Sequence, residues 1–229
     1  MITRWIQRKG YERLLIFFNG WGMDGGIADF LQSNTTGEFD RDILLCYDYR
    51  TTGFPDGLPG DIAAYGERMV VAWSLGVWAA QRTGLEKVDK ALALNGTPWP
   101  VSTEKGIPPD IFRATLDNYD EENRLRFLRR MCGSTALFKR FMDFAPQRDA
   151  ADQQEELDAI LQEVTGDTVQ PSPAWEYTHA VIGGRDMVFP AAAQERAWSG
   201  IQRKEMRGMP HFPFFEFNNW QEICKCMEA

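Results

Sequence analysis

The sequence predicts an α/β fold, a mostly parallel sheet with helices on its faces, interrupted late in the chain by a helical insertion. Short apolar runs bounded by Gly, Asp or Asn alternate with helix-like segments, which is the rhythm of βα units. Between Asn95 and Trp175 that rhythm breaks and only helix-like segments remain. With 229 residues, 44% of them apolar and 15 Phe and 8 Trp among them, the chain has the material for one core in one domain.

Taken in order, Ile2 to Arg8 alternates Ile2, Arg4, Ile6 and Arg8 and turns at Lys9-Gly10, the pattern of an edge strand. Further strands are predicted at Arg13 to Phe18, Asp42 to Tyr47, Met69 to Trp73, Lys90 to Leu94, Tyr177 to Ile182 and Ile201 to Met206. The inner ones are near-continuous apolar runs, as expected of strands buried on both faces. Helices are predicted at Gly26 to Gln32, Ile62 to Glu67, Leu75 to Arg82, Pro190 to Trp198 and Trp220 to Met227. The insertion holds four more, at Pro109 to Leu116, Glu121 to Met131, Thr135 to Phe144 and Asp152 to Val164. Pro98, Pro100, Pro108 and Pro109 lead into it, and Pro171 and Pro173 lead out. An excursion over 98–174 at the C-terminal edge of a parallel sheet stands over the crevice where α/β proteins bind ligands, so a lid is expected there.

A formal charge of −8 argues against general nucleic-acid binding while leaving room for a local basic patch. No apolar run approaches the roughly 18 residues of a membrane span, and Met1 to Lys9 lacks the apolar stretch of a signal peptide. The expectation is a cytoplasmic chain with no membrane partner. Cys46, Cys132, Cys224 and Cys226 show neither disulfide nor zinc spacing and are expected to be free thiols. Asn34-Thr35-Thr36 and Asn95-Gly96-Thr97 match the glycosylation pattern, which carries no weight without a secretory signal.

The chemistry starts at Val71-Ala72-Trp73-Ser74-Leu75-Gly76-Val77-Trp78-Ala79-Ala80, where an apolar strand passes through a small-x-Ser-x-Gly turn into a helix. A nucleophile elbow needs small residues two before and two after its serine, because strand and helix close tightly there. Ala72 and Gly76 meet that need, and the Leu75 N–H faces the space where an oxyanion would form. Alone, the stretch reads equally as a serine capping a helix after a buried strand.

A serine needs a base, and the chain has two histidines. His179 lies inside a predicted strand and reads as structural. His211, in Gly208-Met209-Pro210-His211-Phe212-Pro213-Phe214, lies in a loop after the last strand, free to reach the crevice. The third member should be a carboxylate that orients the imidazole. Asp186 fits best, directly after a strand in Ile182-Gly183-Gly184-Arg185-Asp186, with Pro190 placed to open the next helix; the alternative is plain turn chemistry. Asp48, after an earlier strand, is a weaker substitute. The order Ser74, Asp186, His211 is that of the α/β hydrolases. A second oxyanion donor is expected from Phe17-Phe18-Asn19-Gly20-Trp21-Gly22-Met23-Asp24, through the Trp21 amide, with Asp24 capping the following helix. The competing reading is a Gly-rich turn with Trp21 as a core aromatic.

With these pieces in order, the chain resembles the α/β hydrolases over most of its length. It is most similar to the pimeloyl-[acyl-carrier protein] methyl ester esterases of biotin synthesis, among them the BioG type. The stretches that carry the resemblance are Phe17 to Asp24, Ala72 to Ala80, Asn95-Gly96-Thr97-Pro98 and Met209 to Phe214. The BioH type has Gly-x-Ser-x-Gly at the elbow and usually His before the Gly-Trp-Gly loop, so Ala72 and Asn19 point to the BioG type. The resemblance implies that Ser74 attacks the methyl ester of a carrier-bound pimeloyl chain, His211 takes the serine proton and Asp186 holds His211. It also implies that the Trp21 and Leu75 amides bind the oxyanion, that no metal or organic cofactor is needed, and that the partner is an acyl carrier protein.

One feature of the insertion bears on that partner. From Asn123 to Met142 stand Arg124, Arg126, Arg129, Arg130, Lys139 and Arg140 with no Asp or Glu, in a chain that is acidic overall. Such a patch suits an acidic carrier protein; the competing reading is a solvated helix face balanced by Glu121 and Glu122. Two other functions remain open at this point. They are a general short-chain carboxylesterase or thioesterase with the same triad, and a hydrolase-like binding protein without turnover.

Overall fold

The computed structural model describes residues 1–166 and 173–228. Seven strands make one sheet: β1 (Ile2–Gln7), β2 (Arg13–Phe18), β3 (Asp42–Tyr47), β4 (Glu67–Trp73), β5 (Lys90–Leu94), β6 (His179–Gly183) and β7 (Gln202–Met206). Their order is β1-β3-β2-β4-β5-β6-β7, with β1 antiparallel to β3 and every other pairing parallel. Strands β2 to β6 are buried along almost their whole length, as parallel strands covered on both faces must be. At the two edges β1 is half-buried and β7 largely exposed.

Helices α1 (Gly26–Asn34), α2 (Leu58–Ala63), α3 (Gly76–Ala80), α8 (Ala191–Ala197) and α9 (Trp220–Lys225) connect or follow the strands. Between β5 and β6 stand α4 (Pro109–Asp117), α5 (Glu121–Cys132), α6 (Thr135–Phe141) and α7 (Ala150–Thr165). Pro171, one of the two prolines expected to lead out of this insertion, lies outside the described residues. Phe17 anchors the core on one face, meeting the Phe214 and Trp220 rings edge-on at 5.6 and 5.4 Å. Burying each such side chain contributes roughly 1.5–3 kcal/mol. No described helix is long and apolar enough to cross a membrane.

Three boundaries differ from expectation for identifiable reasons. The helix expected at Ile62 to Glu67 is instead α2, set earlier by Pro59 in its first turn, while Gly66 and Glu67 donate to the Glu12 carbonyl and draw the chain into β4. The helix expected to run from Thr135 to Phe144 breaks after Phe141 into a 3-10 turn, Met142–Phe144, because Ala145 precedes Pro146 and is extended. Helix α7 starts before Asp152 because the Asp149 side chain accepts the Asp152 N–H and caps it.

The strand order fixes where a site belongs. From β2 the chain moves one way to β3 and then crosses back to β4, so a crevice opens at the C-terminal ends of β2 and β4. Trp21 follows β2 and Ser74 follows β4, with Asp186 and His211 on the same edge after β6 and β7.

Candidate active site

Ser74 sits between β4 and α3 with φ of 58°, a left-handed conformation that costs a non-glycine residue roughly 1–3 kcal/mol. Two glycines let the neighbouring backbone close around it. A Cβ on Gly76 would lie 2.4 Å from the Asn19 carbonyl oxygen and 2.6 Å from that of Phe18, and one on Gly96 would lie 2.3 Å from that of Ser74 itself. Ala72 is fully buried in β4 between Phe18 and Ala93.

Ser74, His211 and Asp186 form one chain of hydrogen bonds. His211 Nε2 is 2.9 Å from Ser74 Oγ, and His211 Nδ1 is 2.9 Å from Asp186 Oδ2. The Asp186 and His211 side chains are essentially buried, and Ser74 is 6% exposed. Asp186 is itself held: Oδ1 accepts the Val188 and Phe189 N–H groups, both at 2.8 Å, and Oδ2 accepts Gln194 Nε2 at 3.0 Å. With Nδ1–H donating to Asp186, Nε2 is left to receive the Ser74 proton.

The amides of Trp21 and Leu75 take no acceptor among the described residues, although both residues are buried. Trp21 is packed as a core aromatic. Its indole is packed against Tyr119 and Phe127, with ring centroids at 4.8 and 5.1 Å, and Nε1 donates to the Gln153 carbonyl at 2.7 Å, while its amide stays unpaired. Trp21, Leu75, Ile107, Phe112, Phe127 and Leu157 wall a cavity at Ser74, with Ile111, Met187 and Arg130 also lining it. A second groove, between α4 and α5, shares Ile111, Thr115, Phe127 and Arg130 with the first and adds Arg126. The two adjoin at these four residues.

The remaining candidates fall elsewhere. His179 opens β6, with Nδ1 2.8 Å from Thr178 Oγ1; burial and the Lys90 charge lower its pKa against a raising hydrogen bond with Gln202. Asp48 is engaged with Arg50 and Arg148, not with the histidine. Burial pushes its carboxyl up, but these two arginines outweigh that and hold it below the usual range. Asp24 does not occupy the cap position of α1, which is Gly25; its Oδ1 takes the Gly26 N–H at 2.9 Å and its Oδ2 the Gln147 N–H at 2.8 Å, tying this loop to the insertion. Burial pushes the Cys132 and Cys224 thiols up to about 12, so neither competes as a nucleophile at neutral pH.

The basic patch divides. Arg124 is bonded to Glu121 at 2.9 Å and mostly covered, and Arg126 pairs with Glu122. Arg129, Arg130, Lys139 and Arg140 have no carboxylate partner among the described residues and are exposed; Arg129 lies over Phe138, Arg130 over Phe127 and Arg140 over Phe215.

Sequence reasoning assigned no role to Asn95, which sits fully buried at the end of β5 with φ of 46°. Its Nδ2 donates to the Pro210 and His211 carbonyls at 2.8 and 2.9 Å, and its Oδ1 accepts the Gly183 N–H at 2.6 Å. The available signal was a polar residue ending an apolar strand. Glu156, which bonds the Gly22 amide from within α7, was also passed over.

Comparison with known proteins agrees with this architecture. Residues 1–223 match the profile of a family described as pimeloyl-ACP methyl esterase BioG. The crystal structure of BioG from Haemophilus influenzae superposes with a TM-score of 0.84 at 33% identity, covering 96% of this chain and 98% of that one. An enol-lactonase from Burkholderia xenovorans, at 13% identity and a TM-score of 0.64 over 100% of this chain and 96% of its own, shares the α/β-hydrolase fold. A Bacteroides fragilis protein named malonyl-[acyl-carrier protein] O-methyltransferase is 39% identical over 82% of this chain, which spans only 36% of that protein's length. The extent of the profile match and the likeness to the Haemophilus structure place the chain in the BioG family, within the α/β hydrolases.

Proposed function

We propose that this chain is a serine esterase that removes the methyl group from pimeloyl-[acyl-carrier protein] methyl ester, giving pimeloyl-carrier protein and methanol in biotin synthesis. The observation that carries the reading is the placement of Ser74 Oγ, 2.9 Å from His211 Nε2, in the cavity that Trp21 and Leu75 also line.

In this mechanism Ser74 Oγ attacks the ester carbonyl while His211 Nε2 takes its proton, and Asp186 keeps the imidazole in the tautomer that allows it. The Trp21 and Leu75 N–H groups bind the oxyanion of the tetrahedral intermediate. As that intermediate collapses, His211 returns the proton to the departing methoxide and methanol leaves. Water then attacks the acyl-enzyme with His211 again as base, restoring Ser74 and releasing the free carboxylate. Each step uses only this chain's residues and water.

The cavity at Ser74 is small, about 40 Å³. In this reading the helices between β5 and β6 are a lid over it, with exposed Ile111 and Met187 in its lining offering apolar surface to the acyl chain. Arg129, Arg130, Lys139 and Arg140 are the part of the basic patch left to steer an acidic carrier protein, while Arg124 serves Glu121. The methyltransferase name of the Bacteroides relative is compatible with this reading. It concerns a longer protein, of which this chain spans 36%.

The test compares substrates. Arg129→Glu with Lys139→Glu, neither of which lines the cavity at Ser74, should raise KM for the carrier-bound methyl ester and flatten its salt dependence, because steering between exposed charges is screened over roughly 10 Å at 0.1 M salt. A small neutral ester should keep kcat/KM within about threefold, well short of the tenfold that 1.4 kcal/mol represents. Unchanged kinetics on both, without preference for the carrier-bound ester, would favour a general carboxylesterase.

A further inference from the structure

We propose that Glu156, on α7 of the insertion, is a positioning residue for this hydrolysis: its buried carboxylate grips the Gly22 N–H and thereby keeps the Trp21 amide aimed at the oxyanion. The proposal rests on the reading of Trp21 and Leu75 as the oxyanion donors. Glu156 is fully buried, and both of its oxygens are used. Oε2 accepts the Gly22 N–H at 3.1 Å and Arg148 Nη1 at 2.6 Å, and Oε1 accepts the Tyr49 N–H at 2.9 Å. One carboxylate from the insertion thus spans the loops after β2 and β3. Arg148 is fixed in turn by Asp152 Oδ2 at 2.5 Å and lies 3.7 Å from Asp48 Oδ2.

A buried carboxylate is a costly way to fill space, and Leu157, beside it, does so without a charge. What Glu156 supplies is direction. The Trp21 amide can swing only if the backbone on either side of it turns. On one side the Asn19 side chain accepts the Gly20 N–H at 2.9 Å; on the other, Glu156 holds the Gly22 N–H. The Trp21 indole is held by the Gln153 carbonyl, three residues before Glu156 on the same helix. Two of these three hydrogen bonds come from α7, so the placement of the Trp21 amide depends on α7 being docked. Oxyanion donors act through placement set before the reaction, and a misaimed one loses transition-state stabilisation without loosening the substrate.

The experiment measures kcat, KM and the affinity for a short-chain trifluoromethyl ketone, which Ser74 would attack to form a tetrahedral oxyanion, in wild type, Glu156→Gln and Glu156→Met. With Gln the amide NH2, itself a donor, must face at least one of the two N–H groups, and with Met neither N–H has an acceptor. Expected are a kcat lowered about tenfold for Glu156→Gln and more for Glu156→Met, KM for a small ester within about threefold, and ketone affinity falling by the same factor as kcat/KM. A folded Glu156→Gln and Glu156→Met pair with wild-type kcat and ketone affinity would overturn the proposal, as would a loss confined to KM. Ser74→Ala run alongside separates the two readings: turnover by it would sink the triad itself, whereas its inactivity beside fully active Glu156 variants would sink only the brace. If the Glu156 variants do not fold, amide hydrogen exchange on the wild-type chain decides. Gly22 must exchange as slowly as the amides of β2, and exchange at the rate of an open loop would overturn the proposal.

Discussion

Asn95 holds the backbone of His211 in place, its Nδ2 donating to the His211 carbonyl at 2.9 Å while its Oδ1 accepts the N–H of Gly183, three residues before Asp186. The loops that carry the histidine and the aspartate are thus joined through one side chain from a third strand. Asn95→Ala would leave the Gly183 N–H and the Pro210 carbonyl without this partner in a buried region, each worth roughly 1–3 kcal/mol, although Trp73 Nε1 would still serve His211. The expected outcome is a melting temperature lowered by about 2–4 °C per kcal/mol and a kcat reduced about tenfold or more on a small ester. Thermal unfolding and steady-state kinetics on the same preparation check it; a wild-type kcat would mean that the histidine loop holds its own position.

Ser74→Ala should fold normally and lose on the order of 10⁶ in kcat, since it removes the nucleophile from a unit that acts together. Asp186→Asn should lose on the order of 10⁴, because the amide disturbs the tautomer of His211. Activity of Ser74→Ala within about tenfold of wild type would sink the assignment.

Gly76→Ala tests the elbow. The added Cβ would lie 2.4 Å from the Asn19 carbonyl oxygen, a backbone atom that cannot move without shifting the loop ahead of Trp21. Overpacking of this kind costs roughly 1–3 kcal/mol, and here it would also displace the serine. Differential scanning calorimetry and labelling by a fluorophosphonate should both register the change; an unaltered variant would show that the strand–helix contact is looser than drawn.

His179 separates a structural histidine from a catalytic one. His179→Gln should retain turnover. Its effect on stability should depend on pH, with a sign that follows from the lowered pKa. The unfolded state then binds the proton more readily, so this group costs the wild type stability as pH falls below about 6.5 toward the lower folded value. Above that window no such difference remains. Urea unfolding of both proteins at several pH values should show the wild type losing ground to His179→Gln on acidification; a gap of opposite slope would contradict the argument.

The sheet was legible because burial on both faces writes itself as apolar runs: Arg13 to Phe18, Asp42 to Tyr47 and Lys90 to Leu94 have the expected bounds. Helix ends were less so, since they depend on single caps such as Asp149, which periodicity does not register. Ser74, Asp186 and His211 could be picked out because each stands at a strand end in a turn with its own composition. Glu156 could not. It lies in a helix rich in Asp, Glu and Gln, reads as a solvated residue, and finds its partner Gly22 134 positions away. The arginines were visible as a charge run, but which of them Glu121 and Glu122 neutralise was a matter of side-chain reach.

The central claim is hydrolysis of one bond in a carrier-bound substrate, and intact-mass spectrometry of the carrier reads it directly. Carrier protein bearing methyl pimelate, incubated with the wild-type chain, should become lighter by one CH₂ as the methyl ester becomes an acid, keep its acyl chain, and stay unchanged with Ser74→Ala. A carrier unaltered by the wild-type chain would contradict the account, and so would one stripped to its free thiol, which would mean thioester cleavage instead.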